Sequence, residues 1–280
     1  MSDRPGHAGV VMADVAGCRS VLIEVLTILA KDLDKIVVVG GWVPELVYPG
    51  RGHIGSLDVD LALDPFELKP MAYESIRKKL VDSGYEQTAE TPNAFYRSMK
   101  GSSQKIKVDL ITGEFPDRAE GGSHLSIQEL RVWKAHGIDL AFQFQQDIRI
   151  EGTLPDGGHN VVSAKLPSIA AFVCIKAIAL GERKKEKDAY DIAFCIDHYP
   201  GGPRALAAEF AGKLGNPLLV EGLATLRSKF ARVDSIGPVW AAQVSEQVTV
   251  GTARDLELEQ RRAFQLVDQL LEAIGVNGAE

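Results

Sequence analysis

Val37-Val38-Val39-Gly40-Gly41, followed by Ser56-Leu57-Asp58-Val59-Asp60-Leu61-Ala62-Leu63, decides the fold. A β-branched run that stops on two glycines reads as a buried strand leading into backbone that must approach something closely, because glycine has no Cβ in the way. A phosphate would suit such bare N–H groups. In the second stretch Leu57, Val59, Leu61 and Leu63 alternate with Ser56, Asp58 and Asp60, the period of a half-buried strand with one polar face. Asp58 and Asp60 therefore point the same way, roughly 6 to 7 Å apart, close enough to share a hard cation. Lys105-Ile106-Lys107-Val108-Asp109-Leu110-Ile111 alternates in the same manner and brings a third carboxylate. Three strand-borne aspartates beside a glycine pair imply metal-dependent phosphoryl chemistry, although Gly-Gly also marks ordinary turns and Asp-x-Asp also occurs on solvated strand faces.

Working outward, the spacing predicts a lead helix over 15–33, a strand at 36–39, a short helix at 42–47 and a loop at 50–55 carrying Arg51 and His53. An amphipathic helix is expected over 71–83, closed by Gly84. Hairpins are expected from 95–99 with 105–111, through the turn 100–104, and from 148–153 with 159–164, through Pro155-Asp156-Gly157-Gly158. From Pro167 the pattern is helical, with segments at 168–181, 187–199, 204–214, 218–231, 239–248 and 253–274. The fold class is thus α/β or α+β, a mixed sheet with flanking helices over 1–166 followed by a helical domain over 167–280.

The helical half holds a second cluster. Lys176 lies inside the apolar stretch 169–180, and a buried ammonium is costly unless an anion meets it. Asp188 and Asp191, three apart, share one helix face. Lys176 is then either one end of a structural ion pair with Asp188 or Asp191, or a cation for substrate phosphates. Arg183, Lys184, Lys185 and Lys187 form a basic run, readable as a solvated interhelical loop or as a nucleic-acid contact.

Composition bounds the rest. The 280 residues carry a formal charge of −7, with 45% hydrophobic and 25% charged side chains, as in a globular protein and unlike a general nucleic-acid coat. Cys18, Cys174 and Cys195 are an odd set without CxxC spacing, so they read as reduced core residues. The longest apolar run contains Lys176 and is about half the length of a bilayer span. The first residues lack the plan of a secretory signal, so a cytoplasmic protein with no membrane segment is expected.

Gly40-Gly41, Ser56-x-Asp58-x-Asp60, Asp109, and then Lys176 through Arg183 to Asp188-x-x-Asp191 resemble the motif series of the AbiEii/AbiGii-type nucleotidyltransferase toxins, including the MenT-like branch, within the DNA polymerase β-like nucleotidyltransferase superfamily. The resemblance covers about 36–199. It implies that Gly40 and Gly41 bracket a triphosphate, with Ser56, Lys176, Arg183 and Asp188 also on the nucleotide. Asp58, Asp60 and Asp109 would hold Mg²⁺ or Mn²⁺, Asp109 would stand beside the acceptor hydroxyl, and Asp191 would orient Lys176 or the acceptor. The implied partners are an NTP, an RNA acceptor such as a tRNA 3′ end, and a cognate antitoxin. One departure is visible: the family continues its glycine pair with Thr-Ala-Leu, where this chain has Trp42-Val43-Pro44. Alternatives are a small-molecule, aminoglycoside-like nucleotidyltransferase, or a non-catalytic partner protein of the same fold. His53 and His124 are loop candidates for acid/base work or bystanders.

Overall fold

The computed structural model describes residues 7–64, 70–99, 104–114, 124–127, 130–248 and 255–275. The chain divides into two compact units, Met1–Leu46 with Gly55–Leu166, and Val47–Ile54 with Pro167–Glu280.

The first unit is built on a mixed sheet with helices, as the alternation of patterns implies. Its strands are β1 (Ile36–Val39), β2 (Asp58–Leu63), β3 (Ala94–Ser98), β4 (Lys105–Thr112), β5 (His124–Ile127), β6 (Leu130–Lys134), β7 (Gln145–Thr153) and β8 (His159–Pro167). Their order is β5-β6-β4-β2-β1-β8-β7, with β3 also paired to β4. β1 runs antiparallel to β2, whereas β2 and β4 are parallel. Helices α1 (His7–Ile28), α2 (Trp42–Val47), α3 (Pro70–Asp82) and α4 (Asp139–Gln143) complete the connections. Ile36 to Val39 are all buried, which explains their continuous apolar run. Along β4 buried and half-open positions alternate from Ile106 to Thr112, so one face is core and the other carries Lys107, Asp109 and Ile111.

Two local expectations in this unit differ from the structure. The lead helix ends at Ile28 and not at 33, and the chain beyond it leads into a 3₁₀ turn at Leu33–Lys35. Strands β5 and β6 and helix α4 occupy a region to which the sequence pattern assigned no element; none exceeds five residues, too few for periodicity to register. The turn over 100–103 lies outside the described residues. Gly84 does close α3, with φ +85° and its N–H donating to the Val81 carbonyl at 2.9 Å. Pro155 to Gly158 form the turn between the sheet neighbours β7 and β8.

The second unit is helical: α5 (Ile169–Glu182), α6 (Glu186–His198), α7 (Gly202–Ala207), α8 (Pro217–Lys229), α9 (Ile236–Val248) and α10 (Leu256–Ile274). Ser168 caps α5 by accepting from the Ala171 N–H at 3.3 Å. The expected helix at 204–214 is instead α7 and a 3₁₀ turn, Ala208–Phe210. Helices α5 and α8 approach closely, since a Cβ on Gly222 would lie 2.6 Å from the Cβ of Cys174. Cys18, Cys174 and Cys195 are all buried and unpaired, and burial pushes the Cys18 thiol up to about 12. No helix among the described residues is long and apolar enough to cross a membrane.

Candidate active site

Strand pairing brings the aspartates of the first unit together. Asp60 is the register partner of Asp109 across the parallel β2–β4 pair, and Asp58 is the partner of Lys107. Neighbouring strands stand about 4.8 Å apart, so the two carboxylates leave one sheet face side by side. Asp58 is exposed, while Asp60 and Asp109 are half-buried. The core positions between them, Val59, Leu61, Val108 and Leu110, are wholly buried on the opposite face.

Gly40 ends β1 against this pair. Val39 is the antiparallel partner of Asp60, and a Cβ at Gly40 would overlap the Asp60 carboxylate. Gly40 also has φ +69°, in the left-handed region. The close approach read from the glycine pair is therefore met, in this structure, by the side chain of Asp60. Gly41 is buried and Ser56 half-buried.

Three further groups hold the aspartates in place. Lys107 Nζ pairs with Asp109 Oδ2 at 2.8 Å, and Asn93 Nδ2 donates to Asp109 Oδ1 at 3.5 Å. Burial alone would lower the Lys107 pKa, but the bond to Asp109 and the charges of Asp109 and Asp58 outweigh it and hold the ammonium above its ordinary range. Trp42, fully buried, donates its indole N–H to the Asp58 carbonyl at 3.0 Å and ties the start of α2 to the start of β2. Trp42 thus fixes the backbone of Asp58. Sequence reading missed these partners; the Lys107-x-Asp109 alternation was a usable signal, whereas Trp42 gave none.

Among the described residues no group of three or more His, Cys, Asp or Glu side chains has the geometry to hold a metal ion. The oxygens of Asp58, Asp60 and Asp109 are nevertheless the hard donors that Mg²⁺ takes, and Mg²⁺ is commonly held by one or two carboxylates with the remaining positions filled by water and substrate phosphate. The donor set fits a cation that arrives with a triphosphate, not a preformed cage.

The second cluster lies wholly within the helical unit. Lys176 Nζ is 2.8 Å from Asp188 Oδ1 and 2.8 Å from Asp191 Oδ2, and both carboxylates are fully buried. Arg183 Nε pairs with Asp188 Oδ2 at 2.9 Å, and Lys187 Nζ with Asp191 Oδ1 at 2.8 Å. His53, on the segment between β1 and β2, places Nε2 at 3.0 Å from Asp191 Oδ1 and stacks on Tyr190 with ring centres 5.3 Å apart. Burial would raise both carboxyl pKa values, but Lys176 with Lys187 holds Asp191, and Lys176 with Arg183 holds Asp188, below the usual range. Burial would likewise lower Lys176, and the charges of Asp191 and Asp188 reverse that. The cluster is ionised and internally paired, which is the structural alternative that the sequence left open for Lys176. Burial depresses the His53 pKa against the opposing pull of Asp191, which favours the neutral ring. His124 is the register partner of Trp133, and its side chain lies outside the described residues.

No family model matches the chain, and no curated protein matches it. Among solved structures it is similar to a protein from H. pylori provisionally named a nucleotidyltransferase, at 12% identity and a TM-score of 0.46, with 100% of each chain covered.

Proposed function

We propose that this chain is a nucleotidyltransferase that moves a nucleoside monophosphate from an NTP to an acceptor hydroxyl and releases pyrophosphate. The observation that carries the reading is the register pair Asp60–Asp109 with Asp58 two residues before it, on one open sheet face at the glycine end of β1. Mg²⁺ or Mn²⁺ held by Asp58 and Asp60, with Asp109 completing the set, would supply Lewis-acid neutralisation of the triphosphate charge. In this reading Gly40, Gly41 and Ser56 would bracket the phosphates with backbone N–H groups and a hydroxyl, as the motif series implies. Asp109 takes the proton of the acceptor hydroxyl as its oxygen attacks the α-phosphorus, and the bond to the β-phosphate breaks.

In the helical unit the motif series assigns Arg183 to phosphate; its side chain is 54% exposed, with Nε and Nη2 both bound to Asp188. Lys176, Asp188 and Asp191 form the buried support that orients it. As acceptor we propose an RNA 3′ end, such as that of tRNA, with the chain acting as the toxin of an AbiEii-like toxin–antitoxin or phage-defence pair. The motif series supports this, as does the exposure of Lys184 and Lys185, which remain for RNA after Arg183 and Lys187 have paired with Asp188 and Asp191.

The test is incubation of the protein with each α-labelled NTP, Mg²⁺ and total RNA. Label in tRNA supports the full proposal. Label only on a small amine or alcohol retains nucleotidyl transfer and replaces the acceptor, and absence of any transfer rejects the reading.

A further inference from the structure

Trp133 stands out among the aromatic side chains of the sheet. It is 45% exposed, whereas its neighbour Val132 is wholly buried. In the parallel β4–β6 pair Trp133 is the register partner of Ile111, and Ile111 follows Asp109 by two residues on β4. Residues two apart share a face, and so do register partners, so the indole stands on the same open face as Asp109 and Asp60. Two residues along the strand and one strand across place Trp133 about 8 Å from Asp109, Cα to Cα, from standard strand spacings. A nucleoside triphosphate spans more than this between its terminal phosphate and its base.

We propose that Trp133 is the stacking platform for the base of the bound NTP, an inference that rests on the nucleotidyltransferase reading. At 45% exposure the Trp133 side chain leaves part of its apolar surface in water, and a planar base laid over that part removes it while the polar edges of the base remain solvated. The anionic end of the same ligand belongs at the aspartates with the divalent cation, so a single molecule satisfies both ends of the face. Stacking without edge recognition tolerates every base, and this platform favours all four NTPs, purines most because of their larger π-surface.

The experiment measures binding of ATP, GTP, CTP, UTP and inorganic tripolyphosphate, each with Mg²⁺, to wild type, Trp133→Ala and Trp133→Phe, by calorimetry and by quenching of intrinsic fluorescence. The expected result is a Kd about tenfold higher for each NTP in Trp133→Ala and within about twofold of wild type in Trp133→Phe, the size of one base–aromatic stack. Tripolyphosphate affinity stays unchanged in both variants, and Trp133→Phe loses most of the nucleotide-dependent quench. Wild-type NTP affinity in Trp133→Ala overturns the platform and leaves nucleotide binding in place. Equal weakening of NTP and tripolyphosphate also overturns it, since the loss then lies on the phosphate side. Absence of NTP binding to the wild-type protein removes the platform and the nucleotidyltransferase reading together.

Discussion

Asp60 and Asp109, 49 positions apart in sequence, are register partners on adjacent parallel strands, and both leave the sheet on its open face. Replacing either by Asn keeps the shape and removes one charged oxygen donor. Loss of several kcal/mol of transition-state stabilisation, about a thousandfold or more in rate, is expected for each. Melting temperatures should stay close to wild type because neither residue is fully buried. Normal turnover in Asp60→Asn would remove the aspartates from the reaction.

Gly40 should be intolerant of a side chain. Gly40→Ala forces a left-handed φ on an L-residue, at about 1 to 2 kcal/mol, and drives its Cβ into the Asp60 carboxylate. Denaturant melts of Gly40→Ala, Asp60→Ala and the double variant separate the two terms. The overlap term disappears in the Asp60→Ala background and the φ term persists; equal losses in both backgrounds would show that the carboxylate is not the obstacle.

Lys176 carries the helical unit's buried charge balance. Lys176→Ala leaves Asp188 and Asp191 facing each other's charge with fewer partners, and should destabilise by about 3 to 5 kcal/mol. Unchanged stability with a raised NTP requirement would make Lys176 a phosphate ligand instead.

Acid should act in two windows. Asp188 and Asp191 have depressed folded-state pKa values, so their contribution is complete above the ordinary carboxylate range, near pH 4, and is lost as pH falls through the folded values. His53 is also depressed, by burial against the opposing pull of Asp191, so stability declines as pH falls below about 6.5. His53→Gln should flatten the stability profile just below about pH 6.5, the side on which a depressed imidazole pKa costs stability. A slope in that window equal to wild type would assign it elsewhere.

Lys184 and Lys185 test the acceptor. Their replacement by Gln should weaken RNA binding and reduce its salt slope by up to about two units, with NTP affinity unchanged. An identical slope would make the run a solvated loop.

Local periodicity in the sequence encodes much of this arrangement. A period of two gives Asp58 and Asp60 their common face and puts Asp109 on a like strand. One charge in the apolar stretch of α5 singles out Lys176, and a spacing of three pairs Asp188 with Asp191. What periodicity does not encode is pairing between distant strands: nothing local says that Asp60 meets Asp109 or that Gly40 closes on Asp60. His53 reaches Asp191 across 138 positions, and its burial depends on Tyr190 and Phe194, which no loop pattern announces. Gly212, with φ +71°, interrupts the run expected over 204–214, so α7 stops at Ala207 and the 3₁₀ turn Ala208–Phe210 follows it.

The central claim is that the face bearing Asp60 and Asp109 transfers a nucleoside monophosphate. Its most direct measurement is parallel counting of α-label incorporated into acceptor and of pyrophosphate released, in Mg²⁺, for wild type and Asp109→Asn. The account predicts matched yields of label and pyrophosphate in wild type, abolished by a chelator and by Asp109→Asn. Pyrophosphate release without incorporated label, or incorporation that survives Asp109→Asn, would contradict it.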